Sequence, residues 1–411
     1  MTFLTLQNID VKKKRVLVRV DYNVPIDEKG NITSDSRIKA SLKTINYLIE
    51  NKARIILMSH LGRPTGATEK LKMDKIAKRL SELLGRLVRK LDECLGPEIE
   101  EATHHLKPGE VILLENLRFH PEEEQNDPEF AEEISKLGDF FVMDAFGTMH
   151  RANASTEAVM RYVPSVAGLL VQKELEILGK ALDNPERPFI VVLGGSKVSD
   201  KIGVIKNLLD KSDALLIGGG MMFTFHRAQG FEVGKSIVEE EKLEFAKEIL
   251  ENSRLVLPVD AAVADKFDRN ANKLVVKIDQ IPKEWIGLDI GRETIAKYKE
   301  VLKNARTIIW NGPLGVYEFE KFEDGTKEIA EFIAGLNAVK IAGGGDTSAA
   351  IEKFGLAEKF THISTGGGAS IEFLEGKKLP SVKALEESYE RFRNKINLLK
   401  MMVMDQFSDY D

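Results

Sequence analysis

The 411-residue sequence contains a single cysteine, Cys94, which rules out an internal disulfide and a cysteine-built metal site and fits a reducing compartment. No run approaches the ~18 consecutive apolar residues of a membrane helix, so no membrane partner is expected. The opening MTFLTLQNIDVKKKRVLVRVD lacks the charged, then apolar, then small-residue order of a secretory signal, and the expected location is cytoplasmic. An excess of positive charge is also lacking. A net charge of −6 argues against general nucleic-acid binding, which rests on an excess of Lys and Arg over a surface, so any basic site must be local. There is no G-x-S-x-G elbow, no H-E-x-x-H and no Cys/His set at metal-ligand spacing, and neither a solenoid repeat nor a low-complexity tract.

The chain exceeds the roughly 250–300 residues at which one hydrophobic core stops growing, so two domains are expected. With 43% hydrophobic and 30% charged residues, the composition is that of an ordinary soluble globular protein. The many Lys and Glu residues suit either a heat-adapted source or simply a well-solvated surface.

Short, unalternated apolar runs at 15–20, 53–58, 111–114 and 140–143, and again at 189–193, 214–217, 254–257, 307–310, 339–342 and 361–364, alternate with helical periodicity. Ile38, Leu42, Ile45 and Ile49 share one helix face after Ser36, and Ile76, Leu80 and Leu83 share another. Such runs suit strands buried on both faces of a parallel sheet with helical crossovers. The expected fold is α/β, with a doubly wound, Rossmann-like parallel sheet in each half; a single eight-stranded barrel is the alternative. A charged amphipathic helix at 171–182 and a Pro-bounded turn at 184–188 mark the joint. The expected division is 1–170, a helix and hinge at 171–187, 188–385, and a helical tail at 386–411 with a frayed acidic end. His104 and His105 fall at a helix end and read as structural.

Open parallel sheets bind ligands at the carboxyl ends of their strands. In the second half five strand ends carry glycine: LGG, IGGG, WNGP, AGGGD and STGGGAS. One such turn is ordinarily just a tight turn; five in succession imply phosphate, cradled by backbone amides and helix N-termini. The spacing matches neither the Walker A nor the dinucleotide fingerprint. In GGSKVSDKIG, Lys197 and Lys201 stand one turn apart, suited to one phosphate chain. In AGGGDTSAA, Asp346 and Thr347 open a helix; the aspartate can be an N-cap and, beside a nucleotide, a magnesium ligand as well.

The first half offers instead Asp21, Asn23, Arg37, His60, Arg63, Arg118, His150 and Arg151 at its strand ends, an anion trap in which guanidinium forks suit carboxylate and phosphate. With no activated nucleophile in sight, a phosphoryl acceptor already ionised at neutral pH, such as a carboxylate, would need no general base.

Eleven collinear segments, VDYNVP, MSHLGRP, LLENLRF, DAFGTMHRA, GGSKVSDKI, IGGGMMFTF, LPVDAAVADKF, IGLDIG, IIWNGPLGVYEFE, AGGGDTSAA and HISTGGGAS, resemble the phosphoglycerate kinase family between about residues 15 and 385. The resemblance implies an enzyme of glycolysis and gluconeogenesis. Its N-terminal domain would hold 3-phosphoglycerate or 1,3-bisphosphoglycerate, its C-terminal domain ADP or ATP with Mg2+, and a hinge would close the two. It assigns the acid substrate to Asp21, Tyr22, Asn23, Arg37, His60, Leu61, Gly62, Arg63, Arg118 and Arg151. It assigns the nucleotide to Lys201, Gly218, Gly219, Gly287, Leu288, Asn311, Pro313, Glu318, Gly344, Gly345, Asp346 and Thr347, with Asp346 on the metal. Arg37 and Lys197 would clamp the transferring phosphoryl, and the helix start at Gly366, Gly367 and Gly368 would stabilise its equatorial oxygens. Tyr22 stands where the family has Phe, Ser196 where it has Ala, and LPSV at 379–382 where it has LPGV. A longer tail and FGTMHRANAST look more like the archaeal branch. A monomer is expected, with a homodimer open. A catalytically silent nucleotide-binding scaffold is the alternative; it should have lost Arg37, Lys197 or Asp346, and all three are present. A Rossmann oxidoreductase would need a fingerprint that no strand end supplies.

Overall fold

The computed structural model describes residues 3–405, with side chains to residue 394; the acidic end of the tail, expected to fray, lies outside the described residues. The chain forms two units, one running to Glu176 and resuming at Lys378, the other spanning Ile177–Lys377.

The first unit is built on β1 (Arg15–Val20), β2 (Arg54–Met58), β3 (Val88–Lys90), β4 (Val111–Leu113), β5 (Phe140–Asp144) and β6 (Ser165–Ala167). They form one sheet in the order β3-β4-β2-β1-β5-β6, with parallel pairing throughout. β1 lies between β2 and β5, and five of its six residues are buried. The unalternated RVLVRV run has this cause: both faces of the strand are buried. Crossovers are α1 (Ser36–Glu50), α2 (Asp74–Leu84), α3 (Pro97–His104) and α4 (Pro128–Ser135). Ile38 and Ile45 of α1 and Ile76 and Leu80 of α2 enter the core, while Leu42 and Leu83 are partly buried against it. His104 ends α3 and His105 caps it.

α5 (Leu169–Asp183) crosses from the first unit into the second. Its N-terminus is capped by Asp144 at the end of β5, which accepts the amides of Leu170 at 2.9 Å and Val171 at 3.5 Å, while Thr44 Oγ1 accepts that of Leu169 at 3.1 Å. The other Asp144 oxygen, Oδ2, has no hydrogen-bond partner. Burial pushes this carboxyl up to about 7, against the opposing effect of its bonds from Thr44, Leu170 and Val171. The folded value lies above the ordinary 3.8, so the folded chain keeps the proton longer than the unfolded one. The resulting stability is complete below about pH 4 and is lost as pH rises through about 7. Asp144→Asn, which keeps a capping oxygen without a titrating group, is expected to flatten that fall. Urea midpoints measured from pH 4 to 8 should decline more steeply in the parent than in the variant; parallel curves would refute the assignment.

The second unit's main sheet consists of β7 (Phe189–Leu193), β8 (Ala214–Ile217), β9 (Leu255–Val256), then, after an insertion, β13 (Thr307–Asn311), β14 (Val339–Gly343) and β15 (His362–Ile363). Its order is β15-β14-β13-β7-β8-β9, again parallel. The insertion is an antiparallel sheet, ordered β11-β10-β12, of β10 (Asp260–Ala264), β11 (Lys273–Lys277) and β12 (Ile286–Ile290), which the expected parallel alternation did not include. Helices α6 (Ile202–Leu209), α7 (Met222–Ala228), α8 (Leu243–Leu250), α9 (Arg292–Leu302), α10 (Asp324–Gly335), α11 (Gly345–Lys353) and α12 (Gly368–Leu374) complete the unit.

Two open six-stranded sheets exclude the single barrel. The chain reverses its direction of growth between β1 and β5 in one sheet and between β7 and β13 in the other, and the ends of these strands are where a doubly wound fold opens its crevice. The last helix, α13 (Pro380–Asp405), packs with the first unit: Ser388 Oγ accepts the amide of Ser165 at 3.1 Å and Phe392 lies against the core. The segment from Lys378, expected to close the second domain and leave it as a tail, thus belongs by its contacts to the first unit. Among the described residues, no helix is long and apolar enough to cross a membrane.

Candidate active site

In the first unit the residues after β1, β2 and β4 are tied together before any ligand arrives. Asp21 accepts Arg37 Nη1 at 2.8 Å and the amide of Asn23 at 3.1 Å, and Asn23 Oδ1 accepts the amide of Gly62 at 2.8 Å. Arg118 donates to the Gly62 carbonyl at 2.8 Å and pairs with Glu124 at 3.0 Å. Asn116, buried, holds Leu61 from both sides, accepting its amide at 3.0 Å and donating to its carbonyl at 2.8 Å. These bonds fix the 58–64 loop against the end of β4.

His60 lies at the centre. It is buried, and burial together with the charges of Arg19, Arg118, Arg37 and Arg151 pushes its imidazole well below the ordinary histidine range. Arg118 in turn feels Arg151 and Arg63. Five guanidiniums therefore act on one small region, and a neutral ring sits among them. Arg19 Nη2 lies 3.0 Å from His60 Nδ1; since a guanidinium only donates, Nδ1 accepts and the proton resides on Nε2. The ring thereby offers a donor without adding a further cation. Arg151 Nε donates to His150 Nε2 at 3.2 Å, which orients that guanidinium from its neighbour.

Arg19 escapes sequence reasoning because it lies inside the apolar RVLVRV run. Its side chain is fully buried, donating to Ser155 Oγ at 2.7 Å and lying 3.9 Å from Glu123. Tyr22 and Leu61 do not present side chains to the region. The Tyr22 ring is wholly buried, its hydroxyl 3.0 Å from Ser41 Oγ, and burial raises its phenol; Leu61 is in the core. Only their backbone can face a ligand. Arg63 is exposed.

In the second unit three of the five glycine loops serve one another. The amide of Gly194 donates to Asn311, that of Gly195 to Pro313, that of Gly218 to Leu193 and that of Gly219 to Leu314, at 2.8–3.0 Å. A Cβ on Gly194 would lie 2.0 Å from the Pro313 carbonyl oxygen, and one on Gly312, whose φ is +96°, 2.2 Å from that of Gly194. Their glycines answer to this close approach of backbones, and these four amides are spoken for. The expectation of five anion cradles thus narrows to the last two. Gly344 caps α11, with Gly345 and Asp346 in its first turn, and Gly367 caps α12, which begins at Gly368; the amide of Gly366 already donates to Ser364 Oγ at 3.1 Å.

The ends of β7, β13 and β14 bring Lys201, Asn311 and Thr347 together. Lys201, buried by the turn before α6, donates to Asn311 Oδ1; Asn311 Nδ2 donates to the Gly343 carbonyl at 2.8 Å; and Thr347 Oγ1 accepts the amide of Gly312 at 2.6 Å. Burial lowers the Lys201 ammonium, while Asp200, Asp346 and Glu375 oppose the shift. Lys197 is different: it is exposed, and its charge contributes to holding Glu239 below the ordinary carboxylate range, after the bonds Glu239 receives from Ser199 and Val198. The two lysines thus stand in unlike settings.

Glu318 is exposed, and it and Asp346 both act on the Tyr317 phenol, which burial chiefly raises, so they share one rim. Gly287 donates its amide to Ser236 Oγ at 2.9 Å, whereas the Leu288 side chain packs in a small core with Phe322 and Ala262. Two exposed apolar side chains flank this rim. Ile237, next to Ser236, is 47% exposed, and Phe267 is 63% exposed with its ring 5.2 Å from that of Phe319. Sequence reasoning did not single them out, since exposure of an apolar residue is visible only in the fold.

Among the described residues, no three His, Cys, Asp or Glu side chains gather as a metal cage. The exposed carboxylate of Asp346 at a helix opening fits magnesium in another way, as one protein ligand to an ion whose remaining ligands are phosphate oxygens and water.

The phosphoglycerate kinase family model matches residues 6–377. The phosphoglycerate kinase of Dictyoglomus turgidum is 56% identical over 392 residues, 94% of this chain and 99% of its own, and that of Moorella thermoacetica 54% identical over 393 residues, 94% and 100%. Among solved structures, phosphoglycerate kinase from Coxiella burnetii superposes with a TM-score of 0.86 at 43% identity, covering 94% of this chain and 99% of its own. The enzyme from Pyrococcus horikoshii gives 0.85 at 38%, covering 95% and 100%. An archaeal-like branch, expected from the tail and FGTMHRANAST, finds no support in these figures, since five relatives at 53–56% identity are bacterial. From the span of the family match and from these identities, the chain belongs to the phosphoglycerate kinase family.

Proposed function

We propose that the chain is a phosphoglycerate kinase acting reversibly on 1,3-bisphosphoglycerate and ADP in the cytoplasm. In that reaction the bond between the acyl oxygen and phosphorus breaks, a bond from the ADP terminal oxygen to the same phosphorus forms, and 3-phosphoglycerate leaves as a carboxylate. The observation that carries the reading is the convergence of Arg19, Arg37, Arg118 and Arg151 on a neutral His60, with Arg63 acting on Arg118. Such an excess of cations over carboxylates suits a ligand with several negative charges, as 3-phosphoglycerate has.

In the first unit, Arg37, Arg63, Arg118 and Arg151 bind the acid, His60 donates from Nε2, and Asn23 and Gly62 hold the loop geometry. In the second, Lys201 and Thr347 at the β7/β13 reversal, with the amides of Gly345 and Asp346, take the phosphates. Ile237 and Phe267 supply apolar contact beside Gly287 and Glu318 for the base, and Gly218, Gly219 and Pro313 form its backbone wall. Asp346 would hold magnesium, which neutralises phosphate charge when bound. The acceptor carboxylate is ionised at neutral pH, so no residue removes a proton. In-line transfer then depends on hinge closure, on Arg37 and Lys197 at the phosphoryl, and on the amides of Gly367 and Gly368 toward its equatorial oxygens.

A coupled assay with Mg-ATP and 3-phosphoglycerate tests this directly, and absence of turnover in the folded full chain would reject it. Arg118→Ala is expected to weaken 3-phosphoglycerate binding by about tenfold to a hundredfold, the worth of a hydrogen bond to a charged group, while leaving Mg-ADP affinity unchanged. Isothermal titration showing unaltered 3-phosphoglycerate affinity would remove Arg118 from the site.

A further inference from the structure

The loop from Gly195 to Lys201 carries both lysines of the second unit, and its two ends are held by the site itself. Gly195 donates its amide to the Pro313 carbonyl at 2.9 Å, and Lys201 donates to Asn311 Oδ1. Between these anchors Ser196, Lys197, Ser199 and Asp200 are exposed, and Val198 alone turns inward. Lys197 therefore takes its direction from the backbone beside it rather than from packing around its own side chain.

That backbone is held by a residue from elsewhere in the chain. Glu239, on the segment between α7 and α8, accepts the Ser199 amide at 3.0 Å with one carboxylate oxygen and the Ser199 hydroxyl with the other, and the Val198 amide bonds to it as well. Burial alone would raise this carboxyl, yet the bonds from Ser199 and Val198, followed by the charge of Lys197, hold it below the ordinary carboxylate range. It is thus ionised at neutral pH, and its bonds to the loop are of the stronger, charge-assisted kind. Glu239 is itself fixed: its amide donates to Thr224 Oγ1 of α7 at 3.1 Å, and Thr224 is buried. Three residues earlier, Ser236 Oγ accepts the amide of Gly287 in β12 at 2.9 Å. One short segment thereby grips both the strand at Gly287 and the lysine loop.

We propose that Glu239 is a positioning residue for phosphoryl transfer: through Val198 and Ser199 it aims Lys197 at the transferring phosphoryl group without touching substrate itself. The inference rests on the reading of Lys197 as one arm of the clamp. Lys201 does not depend on Glu239 in the same way, because it is buried and has its own bond to Asn311.

Glu239→Ala is expected to lower kcat about tenfold to a hundredfold, the consequence of slightly misplacing a catalytic group that is still present, with Mg-ADP affinity changed by less than about threefold. In Glu239→Gln the amide oxygen can accept the Ser199 amide while the NH2 group donates to Ser199 Oγ, so kcat should stay within about fivefold of the parent. A cycle with Lys197→Ala decides between aiming and bracing. In that background Glu239→Ala should change kcat by less than about threefold, because the group it aims is gone, whereas a carboxylate that only braces the fold would cost the same in both backgrounds. Should Glu239→Ala fail to fold, Ser199→Ala, which removes one of the bonds, takes its place in the cycle. Equal losses with and without Lys197, a Glu239→Gln variant as slow as Glu239→Ala, a loss of Mg-ADP affinity in proportion to kcat, or a Glu239→Ala variant as fast as the parent while Lys197→Ala is slow would each overturn the proposal. Lys197→Ala keeping its turnover would overturn the clamp, and this inference with it, a result that the single Lys197 variant tells apart from the others.

Discussion

Replacing Lys197 by alanine is expected to lower turnover by roughly 10²–10³-fold, the usual loss when one donor aimed at developing transition-state charge is removed, with Mg-ADP affinity changed by less than about threefold. The split follows from the settings of the two lysines. Lys201 is buried and bound to Asn311, a ground-state arrangement that any bound phosphate meets ready-made. Lys197 is exposed and, in the proposed clamp, meets the phosphoryl only in transit. Its loss therefore falls on kcat more than on binding. Because the side chain is exposed, folding stability should stay within about 0.5 kcal/mol of the parent, so a fall in rate cannot be ascribed to unfolding. Steady-state kinetics with direct titration of Mg-ADP make the measurement; a variant that keeps most of its turnover, or loses nucleotide affinity in the same proportion, would contradict the clamp.

How far the sequence foretold the structure depended on how each element earns its place. β1 and β7 are buried on both faces, and their apolar runs marked them to the residue, at Arg15–Val20 and Phe189–Leu193. The antiparallel insertion was not legible. β10 is DAAVA, with small side chains that carry little β signal, and β11 is KLVVK, with Leu274 and Val275 46% and 44% exposed, so it has no buried face to impose alternation. From residue 386 onward α13 reads as a tail because its polarity hides its docking. One hydroxyl on Ser388, one amide of Ser165 and the Phe392 ring tie it to the first unit, and none of these is visible as a pattern along the chain.

Within the candidate site, charge at strand ends was legible, because few structural needs place Arg37, Arg118 and Arg151 after β1, β4 and β5. Glycine was less informative. Gly194, Gly219 and Gly312 serve the packing of three loops against each other, a need that produces the same letters as an anion cradle. The buried cation Arg19 left no mark at all, since two arginines in an apolar run read alike, although Arg15 pairs with part-buried Asp139 at the strand's start and Arg19 lies wholly inside.

That same Arg19 is the residue whose loss should most harm folding. It is 1% exposed, Glu123 is 2% exposed, and the two are joined through Ser155, whose amide and hydroxyl donate to Glu123 at 2.9 and 2.6 Å while the hydroxyl accepts from Arg19. Arg19→Met leaves a carboxylate buried without its cation, and breaking a buried pair from one side costs about 3–5 kcal/mol. Glu123→Leu, which strands the guanidinium, should cost a similar amount. The double variant should recover much of the loss, because desolvating two charges is itself expensive and an apolar pair of similar volume avoids it. With two units in the chain, unfolding need not be two-state, and scanning calorimetry is the suitable measurement: the transition of the first unit should fall in each single variant while that of the second holds. Additive losses in the double variant would show that Arg19 and Glu123 act independently, and the network drawn through Ser155 would then have no energetic meaning.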